Sequence, residues 1–269
     1  MKPLATLLTV CCALSLNAHA DELADIKASG TLTCGVFGDI VPLGYQDSKT
    51  RSVVGFDVDV CAAIAQDLNV KLDVKTLSVE GRIPALLTGR VNVVAAAMGY
   101  TPVRAKQIDF SSAYYQMPIP VLVKSDSGLK TLADLKGKSI SAIRASTPEL
   151  FARQVLTDSN IVTFDDGASA YLALQQNKVQ GMAMSLGGAV GFRNRSNGQT
   201  VFLDQPLHWE PDCIGVKKGE PALLAAINAS LNKLEASGRL QVIWDRWFGP
   251  TTEYKLKREK KVTPISQFQ

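Results

Sequence analysis

The sequence predicts an α/β protein of two Rossmann-like lobes joined by a two-segment hinge. Strand-like and helix-like stretches alternate along the chain, which implies parallel sheets covered on both faces. ALLTGRVNVVAAA (85–97) also matches ALQQNKVQGMAMS (173–185): Ala-Leu, a turn, a basic residue and Val fall in one register. Each half then has a helix, a turn and a buried strand. Finally, YYQMPIPVLVKSD (114–126) and VFLDQPLHWEPDCIGVKKG (201–219) are extended, Pro-spaced apolar segments suited to cross between lobes. The expected division places 21–120 and 212–269 in lobe 1 and 121–211 in lobe 2. A hinge of two crossings leaves a cleft between the lobes.

The elements follow in order. TLTCGVF (31–37) reads as a strand. GFDVDVCAAIAQDLNV reads as a helix, with Asp57 as cap, Val60, Ile64 and Leu68 spaced by four, and Asn69 ending it. VKLDVKTL alternates as a strand, RIPALLTG is a short helix stopped by Gly89, and VNVVAAAM is an apolar strand. Thr101 caps the next helix, with Pro102 at its first position. In the second unit, TLADLKGKSISAI gives a short helix, a Gly turn and a strand. RASTPELFARQVL repeats the Thr-Pro device, with Thr147 as cap and Pro148 at the first position. ASAYLALQQNKVQGMAMS is a helix running into a strand, and residues 221–249 read as two helices packed back on the first lobe.

The N-terminus addresses the compartment. Lys2, an apolar run from Leu4 to Leu16 and the ending NAHA describe a secretory signal peptide, with cleavage expected after Ala20. Val10, before Cys11, argues against a lipoprotein, which wants a small residue there. The mature chain is expected to be exported and soluble. The net charge of +4 resides in the tail KLKREKK (255–261), read as a solvated run. Of 29 basic and 25 acidic residues, five and one fall in that tail, leaving 24 of each sign elsewhere. A balanced body excludes a nucleic-acid footprint. Cys11 and Cys12 leave with the signal peptide, so Cys34, Cys61 and Cys213 remain of five cysteines. An oxidising compartment allows one disulfide. Cys34 lies in the first strand and Cys61 near the start of the helix covering it, so these two are expected to pair. Cys213, in the returning segment, is the alternative partner for Cys34. No CxxC or His cluster exists, so neither a metal site nor a cofactor is expected.

GYTPVRAKQIDFS (99–111) carries the main functional signal. Arg104 falls in the first helical turn, where free N–H groups and the helix dipole favour anions. One reading pairs it with a surface acid. The other makes it part of a carboxylate or phosphate site built from N–H groups and a guanidinium.

Together these features resemble the periplasmic solute-binding proteins of polar amino-acid ABC importers. The resemblance rests on VGFDVDVCAAIAQDLNV, GRIPALLTGRVNVVAAAMGYTPVRAKQIDFSSAYY, LADLKGKSISA and GVKKGEPALLAAINASLNKLEASGRLQVIWDRWFG, which span nearly the whole mature chain in the family's order. It implies the periplasmic binding protein type II fold and assigns Arg104 to the ligand's α-carboxylate. Ala97 and Gly99 hold positions whose backbone contacts ligand, and the hydroxyls that relatives often carry there are absent. Ser146 and Thr147 fall on the second lobe's loop and helix start that close over the same carboxylate; Thr101 and Thr147 also read as plain caps. Ser185 stands where many relatives place an ammonium-binding Asp. Either another acid substitutes, such as Asp39, or the ligand is not an ordinary α-amino acid. Ile40 replaces a stacking aromatic, and Phe37 or Tyr45 could supply the wall. Arg82, in the Arg-Ile-Pro motif, would meet a distal anion or serve in a structural ion pair.

The resemblance therefore implies a monomeric, non-enzymatic receptor that captures an amino acid or amino-acid-like carboxylate and delivers it to an inner-membrane ABC permease, without nucleic acid. The alternative is an enzyme on the same scaffold, similar to periplasmic cyclohexadienyl (arogenate/prephenate) dehydratases, which needs a general acid such as Glu80, Glu149 or Asp39. A sensor domain is a third reading, weakened by the lack of a signalling module in the chain.

Overall fold

The computed structural model describes residues 21–268, so the expected signal peptide and its cleavage after Ala20 lie outside the described residues. The strands are β1 (Thr31–Val36), β2 (Asp39–Ile40), β3 (Gly44–Gln46), β4 (Val53–Val54), β5 (Lys71–Thr76), β6 (Val93–Gly99), β7 (Ile108–Pro118), β8 (Val121–Lys124), β9 (Ser139–Ile143), β10 (Asn160–Phe164), β11 (Gly181–Ala183), β12 (Thr200–Phe202) and β13 (Trp209–Lys217). The helices are α1 (Glu22–Ser29), α2 (Phe56–Asp67), α3 (Arg82–Leu87), α4 (Pro102–Ala105), α5 (Thr147–Val155), α6 (Gly167–Gln175), α7 (Leu186–Arg195), α8 (Pro221–Ala236) and α9 (Arg239–Trp247).

Two five-stranded sheets result, ordered β5-β1-β6-β13-β7 and β10-β9-β11-β8-β12, with a small third sheet, β2-β3-β4. The expectation of parallel sheets holds for β5-β1-β6 and β10-β9-β11. It fails for β13, which runs antiparallel to both β6 and β7, and for β8, antiparallel to β11 and β12. These are the segments next to the crossings, and a chain that enters a sheet from the other lobe arrives from the opposite end. The aligned stretches 85–97 and 173–185 do occupy equivalent places: α3 leads into β6 beside β1, and α6 into β11 beside β9.

Packing fixes the ends of the strands that meet at the cleft. Phe56, the first residue of α2, sits among Tyr114, Tyr115, Trp244 and Phe248, with ring centroids 5.3–5.9 Å away. Such aromatic contacts add about 0.5–1.5 kcal/mol each beyond burial. The sequence expected Asp57 to cap α2. Instead Gly55 is the cap residue, and Asp57 is a fully buried first-turn residue. Its carboxyl accepts from the Tyr114 hydroxyl at 2.6 Å and from the Ala97 N–H at 3.2 Å. Ala97 has φ 41°, a conformation that non-glycine residues rarely adopt, and the Asp57 bond helps hold it.

The disulfide joins Cys34 to Cys61, with Cα atoms 6.5 Å apart, and Cys213 is a free, buried thiol. In the basic tail Lys255, Lys257, Glu259, Lys260 and Lys261 are exposed as expected, and Arg258 is the exception. Arg258 is buried, pairs with Glu235 of α8 and donates to the Tyr114 carbonyl at 3.2 Å. Thr263 then exchanges two backbone hydrogen bonds with Ala113. An acid on α8 and an unfilled edge of β7 capture a segment whose charge alone suggested water. Among the described residues no helix is long and apolar enough to cross a membrane.

Candidate functional site

The ends of β6 and β11 face each other across a cavity of about 410 Å³, open solvent at its mouth included. Ala97 and Ser185, which correspond in the internal match, both line it. Phe37, Ile40 and Arg82 come from the first sheet's side, and Ser146, Thr147 and Met184 from the second's.

Arg104 lies under this cavity and ties the two sides together. Thr101 caps α4 as expected, its hydroxyl accepting from the Arg104 N–H at 3.1 Å. The guanidinium then turns back across the cleft. Its Nη1 donates to the Gly99 carbonyl at 2.7 Å and to Thr147 Oγ1 at 2.8 Å, and Nη2 donates to the Ala145 carbonyl at 2.8 Å. Thr147 was expected to cap α5. Ser146 does so instead, accepting from the Glu149 N–H at 3.1 Å, which leaves the Thr147 hydroxyl to Arg104.

Arg82 is a backbone hub. Its Nε donates to the Val79 carbonyl, its Nη1 to those of Ala96 and Ala97, and its Nη2 to Ala145 at 3.4 Å. Among the described residues no acid forms a salt bridge with it, so of the two readings the structural ion pair is replaced by bonds to carbonyls. The Ala145 carbonyl thus sits between both guanidinium groups. Ala145 itself has φ 58°, held by its N–H bond to Glu149 Oε2 at 2.7 Å. Burial, and then the Arg104 charge, pull the Arg82 pKa down to about 9; burial likewise lowers that of Arg104.

Sequence reasoning missed the acid of this site. Glu210, on β13, is 1% exposed and lines the cavity. Ser185 Oγ lies 3.0 Å from its Oε1 and 3.2 Å from its Oε2 and donates to it. A carboxylate therefore stands behind the hydroxyl that replaced the expected Asp. Burial raises the Glu210 pKa, against the pull of Ser185, Arg104 and Arg82. Asp212, two residues on and on the same strand face, is fully buried. Burial and the Glu210 carboxyl hold it well above the usual carboxylate range. The available signal was WEPDC: two acids at period two inside an apolar returning strand.

Of the expected residues, Gly99, Thr101 and Arg104 lie behind the cavity wall rather than on it, and Tyr45 and Asp39 stand apart from it. Tyr45, on β3, packs edge-on against Trp247 of α9, with centroids 6.2 Å apart. Asp39 points into an adjoining crevice with Asp166 and Arg195. Of the acids considered for catalysis, Glu149 is occupied by Ala145 and Arg153, and Glu80 is an exposed partner of Arg144.

In kind, the site is a partly open, largely apolar pocket between two α/β units, with a buried guanidinium and a buried carboxyl on its walls. That arrangement binds a small polar molecule. GlnH of Bacillus subtilis, a glutamine-binding protein of an ABC transporter, is 32% identical over 238 residues, covering 87% of this chain and 86% of its own. An ancestral arginine-binding protein, solved bound to arginine, superposes with a TM-score of 0.76 at 33% identity, over 82% of this chain and 99% of its own. The ancestral amino acid-binding protein AncCDT-1, a precursor of cyclohexadienyl dehydratase, gives a TM-score of 0.78 at 29% identity, over 85% and 100%. Residues 32–250 match the family profile of the bacterial extracellular solute-binding proteins, family 3, and the chain belongs to that family.

Proposed function

We propose that this protein is the periplasmic substrate-binding subunit of an ABC importer. It captures an amino acid between two lobes, binds it without turnover, and delivers it as a monomer to an inner-membrane permease. One observation carries the reading: the buried Arg82 guanidinium and the buried Glu210 carboxyl line one cavity, and buried Arg104 bonds its wall residue Thr147. An α-amino acid carries the complementary pair of charges. In this reading its carboxylate takes the place of the Ala145 carbonyl at the Arg104 fork, near Ser146 and Thr147. Its ammonium meets Glu210 and Ser185 with a charge-assisted bond. The backbones of Ala97 and Gly99 and the Thr101 cap fix the first-lobe wall. The lobes in this reading comprise 21–120 with 212–269, and 121–211; the two five-stranded sheets support that division.

Calorimetry over the L-amino acids tests the reading. At least one should bind, and Glu210→Gln should weaken it by roughly 2–5 kcal/mol, the usual loss for one partner of a desolvated charge pair. Unchanged affinity would remove Glu210 from the site. A second reading has one observation in its favour: a cavity carboxyl with a raised pKa is what a dehydratase-type general acid needs. Sustained conversion of prephenate or arogenate, lost in Glu210→Gln, would replace binding with catalysis.

A further inference from the structure

Asp212 sits behind Glu210, away from the cavity. β13 is an interior strand between β6 and β7, and Asp212 lies opposite Gly99 on one and Tyr115 on the other. Residues two apart on a strand share a face, so the Asp212 carboxyl stands beside that of Glu210, within hydrogen-bond reach. Asp212 is fully buried, and among the described residues neither of its oxygens receives a hydrogen bond. A buried carboxylate without a donor is not a stable arrangement, whereas a neutral acid needs only an acceptor for its proton.

The neighbouring donors go elsewhere. The Tyr114 hydroxyl donates to Asp57, Arg82 donates to carbonyls, and Arg104 to carbonyls and Thr147. The Tyr115 hydroxyl is buried without a partner. With Cys213 on its own strand, these are the titratable and charged groups around Asp212: Asp57 from α2, Arg82 from α3, Arg104 from α4, and Tyr114 and Tyr115 from β7. Burial, then the Glu210 and Asp57 carboxyls, raise the Asp212 pKa, and Arg82 opposes them. Glu210 differs in its company. Ser185 reaches both of its oxygens, and both guanidinium groups favour its charged form. Two buried acids this close share one proton, and the acid without donors keeps it.

Resting on the reading of this cavity as an amino-acid site, we propose that Asp212 is a positioning residue for Glu210: it stays neutral, donates its O–H to the Glu210 carboxylate and aims that carboxylate's remaining lone pairs at the ligand's ammonium. Ser185 on the cavity wall and Asp212 behind it then hold Glu210 from two sides. The acid pair carries a single negative charge, which matches a single ammonium.

Two variants separate the proton from the charge. Asp212→Asn keeps a donor in the same place and cannot ionise, and Asp212→Leu keeps the approximate volume without a donor. Calorimetry on the mature protein with the proteinogenic L-amino acids, one at a time, identifies the tightest binder, which is then measured on both variants. Asp212→Asn should bind within about threefold of the parent, and Asp212→Leu about tenfold or more weakly, the scale of one hydrogen bond to a charged group. Infrared spectroscopy of the unliganded protein at about pH 8, where ordinary carboxyls are ionised, should show a protonated-carboxyl C=O band that Asp212→Asn lacks. A loss in Asp212→Asn as large as in Asp212→Leu, or unchanged affinity in both, overturns the positioning role. Identical infrared bands in the parent and Asp212→Asn overturn the neutral acid, and this arm decides alone if the Leu variant does not fold. Failure of every amino acid to bind removes the amino-acid reading and the positioning role with it; the infrared band needs no ligand, so that failure is distinguishable from a misplaced proton.

Discussion

The Arg104 guanidinium donates to Thr147 Oγ1 at 2.8 Å, a bond from the first helix after β6 to the first residue of the helix after β9. It is a contact between the two halves of the cleft, so the state of Arg104 reports whether the cleft is closed. Replacing Arg104 by Ala should abolish detectable amino-acid binding, by roughly 2–5 kcal/mol as for other desolvated charge pairs. Far-ultraviolet circular dichroism should stay native. Retained affinity in calorimetry would show that the carboxylate is held elsewhere.

Gly99 bears on the same contact. A Cβ at that position would lie 2.5 Å from Thr147 Oγ1, closer than real side chains approach. Gly99→Ala should therefore hold the lobes apart, weakening ligand binding by about 1–3 kcal/mol, the usual penalty of overpacking. Small-angle scattering with saturating amino acid should show a larger radius of gyration than the parent protein. An unchanged radius and affinity would mean that Thr147 moves aside at no penalty.

Asp57 should give stability a distinctive pH slope. Burial pushes its carboxyl up to about 7, despite the opposing pull of Tyr114, Ala97 and Arg82. Between an unfolded value of about 3.9 and that folded value, the native state holds a proton that the unfolded chain has lost. Its contribution is thus fully present below about pH 4 and is lost as pH rises toward 7. Urea denaturation of Asp57→Asn should show a flatter stability profile than the parent across that window. Parallel profiles would contradict the raised pKa.

The Cys34–Cys61 bridge closes a span of 27 residues. On the loop-entropy account its loss destabilises by roughly 3.5 kcal/mol. The paired variant Cys34→Ala with Cys61→Ala should lower the melting temperature by about 7–14 °C, given 2–4 °C per kcal/mol for a chain of this size. Buried Cys213 should resist alkylation in the native parent and react on unfolding. A melting point unchanged by removing both cysteines would show that the bridge constrains nothing the fold does not already constrain.

The sequence by itself determined what depends on near neighbours in the chain. The alternation that makes β1, β5 and β6 a parallel set, the Thr101 cap before Pro102, the helix α8–α9 pair and the matching ends at Ala97 and Ser185 all follow from period, turn chemistry and repeat. The Cys34–Cys61 pairing was legible too, because the first long helix after β1 was expected to pack on that strand and bring Cys61 over Cys34. Tertiary structure decided what depends on residues far apart in sequence. Asp57 looked like a cap because nothing nearby reveals that Tyr114 would bury it. Arg258 could not be told from its solvated neighbours in the basic tail because Glu235, which captures it, lies on another element. Ser185 looked like a lost charge because Glu210, which stands behind it, is 25 residues away. A hydrogen bond or an ion pair is fixed by which backbones pass within about 3 Å of each other. Only the folded chain sets that distance.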